Sequence, residues 1–218
     1  MNGAKAPAAG ARALRALGYA LGVMVVLQLL RMGLKSLFFV FVERTNFTDR
    51  VASLVAMALL SAVVVLYARA RKLPLSVFPK RFGAWYIVAS ALTLTLLVLT
   101  PILTKDDSFT AIVLLIYSGV VTPVFEELIF RGLLWNRLND ALPKAWMTYA
   151  VTALLFALWH FGYVDALAFR VHEGLGTAML WKAVIGLGYG VALGALRLGT
   201  KNCYSTMLLH GALNIFGR

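Results

Sequence analysis

Long apolar segments dominate this sequence and restrict the folds that are open to it. Hydrophobic residues make up 61% of the chain, whereas about half is usual in soluble domains. Several segments reach the roughly 20 residues that a helix needs to cross the hydrocarbon core of a bilayer. Candidate spans lie at about 16–42, 51–68, 84–103, 109–134, 146–163, 178–196 and 203–216.

These segments predict an all-α fold. Lipid accepts only helices and closed barrels, because an open sheet edge would leave backbone groups without hydrogen-bond partners. Barrel strands are shorter and alternate apolar with polar residues, which these segments do not. We therefore predict a polytopic transmembrane helical bundle of about seven membrane helices. Arg31 and Lys35, rather than a small-residue cleavage site, follow the first apolar run, so we interpret that run as an uncleaved helix.

The charge distribution predicts the orientation of the bundle. The net charge is +12, and cytoplasmic loops carry an excess of Lys and Arg. With the N-terminus inside, the cytoplasmic side holds Lys5, Arg12, Arg15, Arg69, Arg71, Lys72, Lys80, Arg81, Arg131, Arg137, Lys144, Arg197 and Lys201, and the other side holds Arg44, Arg50, Lys105, Arg170 and Arg218. Thirteen cations against five place the N-terminus in the cytoplasm. Topology and anionic lipid explain the basic character, and no basic stripe with interleaved aromatic residues indicates nucleic-acid binding.

Two adjacent glutamates, Glu126 and Glu127, lie inside an apolar segment, where acidic groups are costly and mark functional sites. The other seven acidic residues fall between the apolar segments or at their ends, so only this pair is expected where water is scarce. Glu127 and Arg131 have the four-residue spacing of an ion pair on one helix face. Glu126 projects about 100° away. We predict that Arg131 holds Glu127 and that Glu126 faces a cavity; alternatively, the three residues form a buried cluster that only fixes helix packing.

Two histidines in apolar segments are candidates for the same site. A turn at about 139–143 folds two segments into a hairpin, in which Glu126 and His160 both lie roughly 25 Å from the turn. An acid and an imidazole are therefore expected to meet at the same depth. His210 and Asn214 are four residues apart and project the same way from the last helix. Phe156 lies on the same face as His160, four residues before it.

The third histidine does not indicate a metal site. His172 and Glu173 resemble half of a zincin motif, but the second histidine four residues on is missing. We predict a solvated loop there. Cys203 is the only cysteine, which excludes an internal disulfide and a cysteine-based zinc cluster.

Three motifs in this order resemble a known family. Glu126-Glu127-x-x-x-Arg131, Phe156-x-x-x-His160 and His210-x-x-x-Asn214 are similar to the signature motifs of the CPBP family. This family comprises the CAAX prenyl protease type II and bacteriocin-processing proteins, and is also called Abi. The resemblance covers about residues 109–217. It divides the single domain into leading transmembrane helices with a cytoplasmic loop (1–108) and a CPBP-like catalytic core (109–218).

The resemblance implies a glutamic-type intramembrane endopeptidase with an Rce1-like core and a conical cavity open to the cytosol. Glu126 with His160 would activate water for attack on a peptide carbonyl. His210 and Asn214 would then stabilise the oxyanion. The remaining motif residues, Glu127, Arg131 and Phe156, would support them. The family pattern implies no metal and no other cofactor.

The expected partners are membrane lipids and a peptide or protein substrate at the membrane. The expected location is a prokaryotic cell membrane, with the chain as a multi-pass integral protein. Two other functions remain open. One is a non-catalytic immunity or scaffolding protein of the same family. The other is a zinc-dependent membrane peptidase, since His160, His210 and a glutamate are a plausible zinc ligand set.

Overall fold

The computed structural model describes residues 9–216, and this part of the chain is helical without any strand. Lys5 and Arg218, which entered the charge count, lie outside the described residues. The helices are α1 (Ala9–Phe38), α2 (Asn46–Ala70), α3 (Ala84–Thr104), α4 (Phe109–Asn139), α5 (Ala145–Arg170), α6 (Leu175–Thr200) and α7 (Cys203–Phe216). In this described range, α1 to α6 are long and apolar enough to cross a membrane, and α7 has 14 residues. The prediction of an all-α membrane bundle is confirmed.

Short connections make successive helices antiparallel, so the bundle has two ends. We call the end with segments 71–83, 140–144 and 201–202 the loop end, and the end with segments 39–45, 105–108 and 171–174 the network end. At the loop end the Cys203 amide donates to the Ser76 carbonyl at 2.9 Å, and the Asn136 side chain donates to the Pro74 carbonyl at 2.6 Å. These bonds fix the proline-containing segment against α4 and α7.

A buried ion network occupies the other end. It comprises Arg31, Lys35, Arg44, Asp49, Asp165 and Arg170, whose pairs lie between 2.7 and 3.1 Å apart. Arg31 and Lys35 therefore face the interior of the bundle, although their positions in the sequence interrupt an apolar segment. The prediction that only Glu126 and Glu127 avoid water is wrong, because Asp49 is 0% exposed. Cations from α1, α5 and the α1–α2 connection compensate its charge.

Helix α4 is irregular on both sides of the glutamate pair. It has π-helical stretches at Tyr117–Val121 and Leu128–Leu134. Pro123 has no amide hydrogen to donate, and it lies two residues after the end of the first of these stretches. π-Helical turns inside α-helices occur frequently at functional sites. The irregular backbone of α4 therefore flanks Glu126 and Glu127, the two acidic residues that the sequence marks as a functional site.

Glycines on α6 allow close packing against α5. A Cβ atom on Gly190 would lie 2.9 Å from the Ala153 carbonyl oxygen, and one on Gly186 would lie 2.5 Å from His160 Nδ1. At these two positions a side chain would collide with α5, so only glycine fits. Gly188 differs, because a Cβ atom there would have nothing within 4 Å. The close contacts of Gly186 and Gly190 with α5 therefore determine where the His160 ring lies along α6.

Candidate active site

Glu126 is almost completely buried, with 2% exposure, and its two carboxylate oxygens have different surroundings. Oε1 accepts a hydrogen bond from Trp159 Nε1 at 3.1 Å and another from the Tyr163 hydroxyl. Oε2 lies 3.7 Å from His210 Nε2. Two donors on α5 therefore hold one oxygen in place, and the other is directed towards the imidazole on α7.

Glu127 faces the packed interior rather than the cavity. Its Oε1 atom lies 3.1 Å from Arg131 Nη1 and 2.9 Å from His210 Nδ1. The guanidinium of Arg131 lies 4.4 Å from the ring centroid of Phe156, and its Nη2 donates to the Gly190 carbonyl at 3.3 Å. The Glu127–Arg131 pair thus has the predicted geometry. The contact of Glu127 with His210 was not foreseen.

His210 lies between the two glutamates. Since a carboxylate only accepts, the proton in the short contact with Glu127 is on Nδ1. This bond orients the ring so that Nε2 points to Glu126. The imidazole ring also makes a T-shaped contact with the Tyr189 ring, at a centroid distance of 5.4 Å.

His160 is the first residue of a 3₁₀ turn, His160–Tyr163, that interrupts α5. Its Nδ1 atom lies 2.7 Å from the Phe156 carbonyl oxygen. Because a carbonyl can only accept, Nδ1 carries the proton, and Nε2 is the acceptor nitrogen of the neutral ring. Within the described part of the chain, no hydrogen bond joins His160 to Glu126. The hairpin places them at the same level, but Trp159 and Tyr163 make the direct contacts.

Asn214 lies one helical turn beyond His210 on α7. Its amide nitrogen donates to the Ser118 carbonyl at 2.9 Å. Ser118 belongs to the first π-helical stretch of α4. An amide nitrogen carries two hydrogens, so this bond anchors the side chain and uses only one of them.

An open cavity of about 580 Å³ brings the four predicted catalytic residues together. Glu126, His160, His210 and Asn214 all line it, whereas the three predicted supporting residues do not. Towards the network end its walls include Arg50, Arg170 and Ala178. The cavity therefore extends to that end of the bundle, and the glutamate lies at its inner part.

Sequence reasoning missed several residues that shape this site. Trp159 occupies an unspecified position of the Phe156-x-x-x-His160 motif, yet its indole is buried and donates to Glu126. Tyr163 lies three residues after His160, a spacing that could have indicated a shared helix face. Tyr189 and Lys182 line the cavity from α6, and no motif distinguishes them. His172 and Glu173 are exposed, as expected for a loop.

Comparison with known proteins agrees with the motif pattern. A family model described as type II CAAX prenyl endopeptidase Rce1-like matches residues 108–216, which is half of the chain. The chain belongs to the Rce1-like family. Searches of curated proteins and of solved structures returned no significant match. The Rce1-like match begins one residue before α4 and contains all seven predicted site residues, so the family resemblance is confirmed. This is a family of membrane proteases, and the chain is accordingly a multi-pass membrane protein.

Proposed function

We propose that this Rce1-like protein is an intramembrane endopeptidase that hydrolyses a peptide bond of a membrane-associated peptide or protein. The observation that carries the proposal is the asymmetric setting of Glu126. One of its oxygens is held by two donors, and the other lies beside an imidazole at the inner part of an open cavity. A buried carboxylate with access to substrate is suited to general-base catalysis.

In the proposed reaction, Glu126 takes a proton from a water molecule as the water oxygen attacks the carbonyl carbon. The Nε2 atom of His160, which is free to accept, helps to position that water. The carbonyl oxygen becomes an oxyanion and receives hydrogen bonds from the second amide hydrogen of Asn214 and from Nε2 of His210, in a ring that then carries a proton on both nitrogens. Donors of this kind are worth about 3 to 4 kcal/mol each in other enzymes. The proton on Glu126 then passes to the departing amine as the carbon–nitrogen bond breaks.

The supporting residues act through their neighbours. Glu127 fixes the His210 ring through Nδ1, and Arg131 compensates the charge of Glu127. Phe156 contributes its carbonyl to His160 and its ring face to Arg131. No metal is needed in this scheme. Across residues 9–216 no group of three His, Cys, Asp or Glu side chains is placed to hold a metal ion.

Comparison of cellular peptides tests the proposal. We expect Glu126→Gln to lower cleavage by about 10²- to 10⁴-fold, the usual contribution of a general base. The measurement compares peptide termini in membrane and secreted fractions of cells with wild-type or variant protein. Glu173→Gln, which changes an exposed glutamate, is the matched control. Unchanged cleavage by Glu126→Gln at equal protein levels would exclude this mechanism.

The same variants separate the other two functions. A non-catalytic immunity or scaffolding protein requires that Glu126→Gln change stability or complex formation without changing any peptide terminus. A zinc peptidase requires stoichiometric zinc in the purified protein and loss of cleavage with a chelator. The asymmetric hydrogen bonding of Glu126 favours the glutamic-type reaction over both.

A further inference from the structure

Lys182 is a cation in the cavity wall that the proposed reaction does not use. It lies on α6, and its side chain is only partly exposed. Its Nζ atom is 5.1 Å from the centroid of the Tyr163 ring, and Tyr163 in turn contacts Glu126. Throughout residues 9–216, no carboxylate lies within ion-pair distance of Lys182. Withdrawing an ammonium from water without a counter-ion is costly.

The surroundings of Lys182 add positive charge. The cavity is lined by three basic side chains, Arg50, Arg170 and Lys182, and by one carboxylate, Glu126. Arg170 also belongs to the ion network, which holds four cations and two carboxylates. Its Nε atom is buried without a hydrogen-bond partner among the described residues. The outer part of the cavity is therefore suited to an anionic group.

The position of Lys182 on α6 gives its distance along the bundle from the residues of the proposed reaction. Gly186, four residues later on α6, lies against the His160 ring. Lys182 is thus roughly 6 Å nearer to the network end than the level of His160. An extended peptide spans about 3.3 to 3.6 Å per residue. A group bound to Lys182 would therefore be one or two residues from the peptide bond under attack.

We propose that Lys182 determines specificity by binding a carboxylate of the substrate one or two residues from the scissile bond. The inference rests on the proposed peptidase function, because it places this carboxylate relative to Glu126. The carboxylate belongs either to the C-terminus of the substrate or to an acidic side chain. Both present the same chemistry to an ammonium group, so the experiment has to distinguish them.

A binding measurement tests the inference without requiring turnover. The probe is an apolar octapeptide with a neutral dye, made with a free C-terminus, with a C-terminal amide, and as the amide with one Asp near the end. Binding is followed by anisotropy with the purified protein carrying Glu126→Gln, which keeps the probe intact. We expect a carboxylate form to bind roughly 10- to 100-fold more tightly than the plain amide, the range for a charge-assisted hydrogen bond. The preferred form identifies the source of the carboxylate.

Further variants assign this preference to Lys182. Lys182→Met should abolish it while leaving the affinity for the plain amide unchanged, and Lys182→Arg should retain it. Lys201→Met removes an exposed lysine at the loop end and should have no effect. A preference that survives Lys182→Met, or the absence of any preference, would overturn the inference. If the preference depends on Lys182 but the wild type cleaves none of the probes or cellular peptides, the peptidase proposal fails and the binding site stands.

Discussion

Glu126 and Glu127 are adjacent in the chain, yet they belong to different parts of the molecule. A step of about 100° along a helix turns one side chain to the cavity and the other to the packed interior. Glu126 receives donors from α5, whereas Glu127 is paired with a cation of its own helix. The residue-scale consequence is that their replacement should affect different properties.

Arg131 provides the first test at this scale. Both partners of its ion pair are 0% exposed, and removal of one partner of a buried pair typically costs about 3 to 5 kcal/mol. We expect Arg131→Met to lower the free energy of unfolding by about this amount, because Glu127 would remain as a buried charge. Titration with a denaturing detergent measures the loss. The double variant Arg131→Met with Glu127→Gln should recover part of it.

Arg137→Met is the matched control for this prediction, since Arg137 is exposed on the same helix. It should change the free energy of unfolding by less than about 1 kcal/mol. Equal stability of Arg131→Met and Arg137→Met would show that Glu127 does not depend on its predicted partner.

At the scale of helices, the sequence predicts the level at which a residue lies in the bundle better than it predicts the direction in which its side chain points. The distance along each arm of the α4–α5 hairpin places Glu126 and His160 at one level, because helical rise is constant. The facing of a polar residue depends on contacts with distant segments. Arg31 and Asp165 are 134 positions apart and still pair at 2.8 Å. The local sequence pattern gives no sign of such contacts, so the ion network and the hydrogen bonds from Trp159 and Tyr163 to Glu126 were not predictable, although the shared face of Tyr163 and His160 was.

The glycines of α6 give a test of the helix packing that positions His160. Gly190→Ala would place a Cβ atom 2.9 Å from backbone oxygen of α5, and backbone cannot move aside as a side chain can. Overpacking of this kind costs about 1 to 3 kcal/mol. We expect Gly190→Ala to lower both the free energy of unfolding and the rate of peptide cleavage, because α5 carries His160.

Gly188→Ala makes the same chemical change two residues away, where a Cβ atom meets open space. It should leave stability and cleavage close to wild type or raise stability slightly through helix propensity. Indistinguishable effects of the two substitutions on detergent unfolding and on cleavage would contradict the packing seen between α5 and α6.

At the scale of the whole molecule, two expectations from the sequence exclude one another: a cytoplasmic N-terminus and a cavity open to the cytosol. Helix α1 ends at the network end, where Arg31 and Lys35 join the ions, and therefore begins at the loop end. The cavity extends from Glu126 to the network end. A cytoplasmic N-terminus hence directs this end of the cavity to the opposite face of the membrane. The family resemblance, by contrast, implies a cavity open to the cytosol.

The distribution of Lys and Arg favours a cytoplasmic N-terminus, because the loop end holds most of these residues and loops rich in them usually stay in the cytoplasm. We expect the cavity to open away from the cytoplasm. Cys203 is the only cysteine and is buried, so single cysteines can be introduced in a Cys203→Ala background. A maleimide that cannot cross membranes should label Glu173→Cys in intact cells and Lys80→Cys only after permeabilisation, since these exposed residues lie at opposite ends. The reverse pattern would place the cavity in the cytosol. The labelled side then limits the substrates to chains whose cleavage site reaches the membrane from that side.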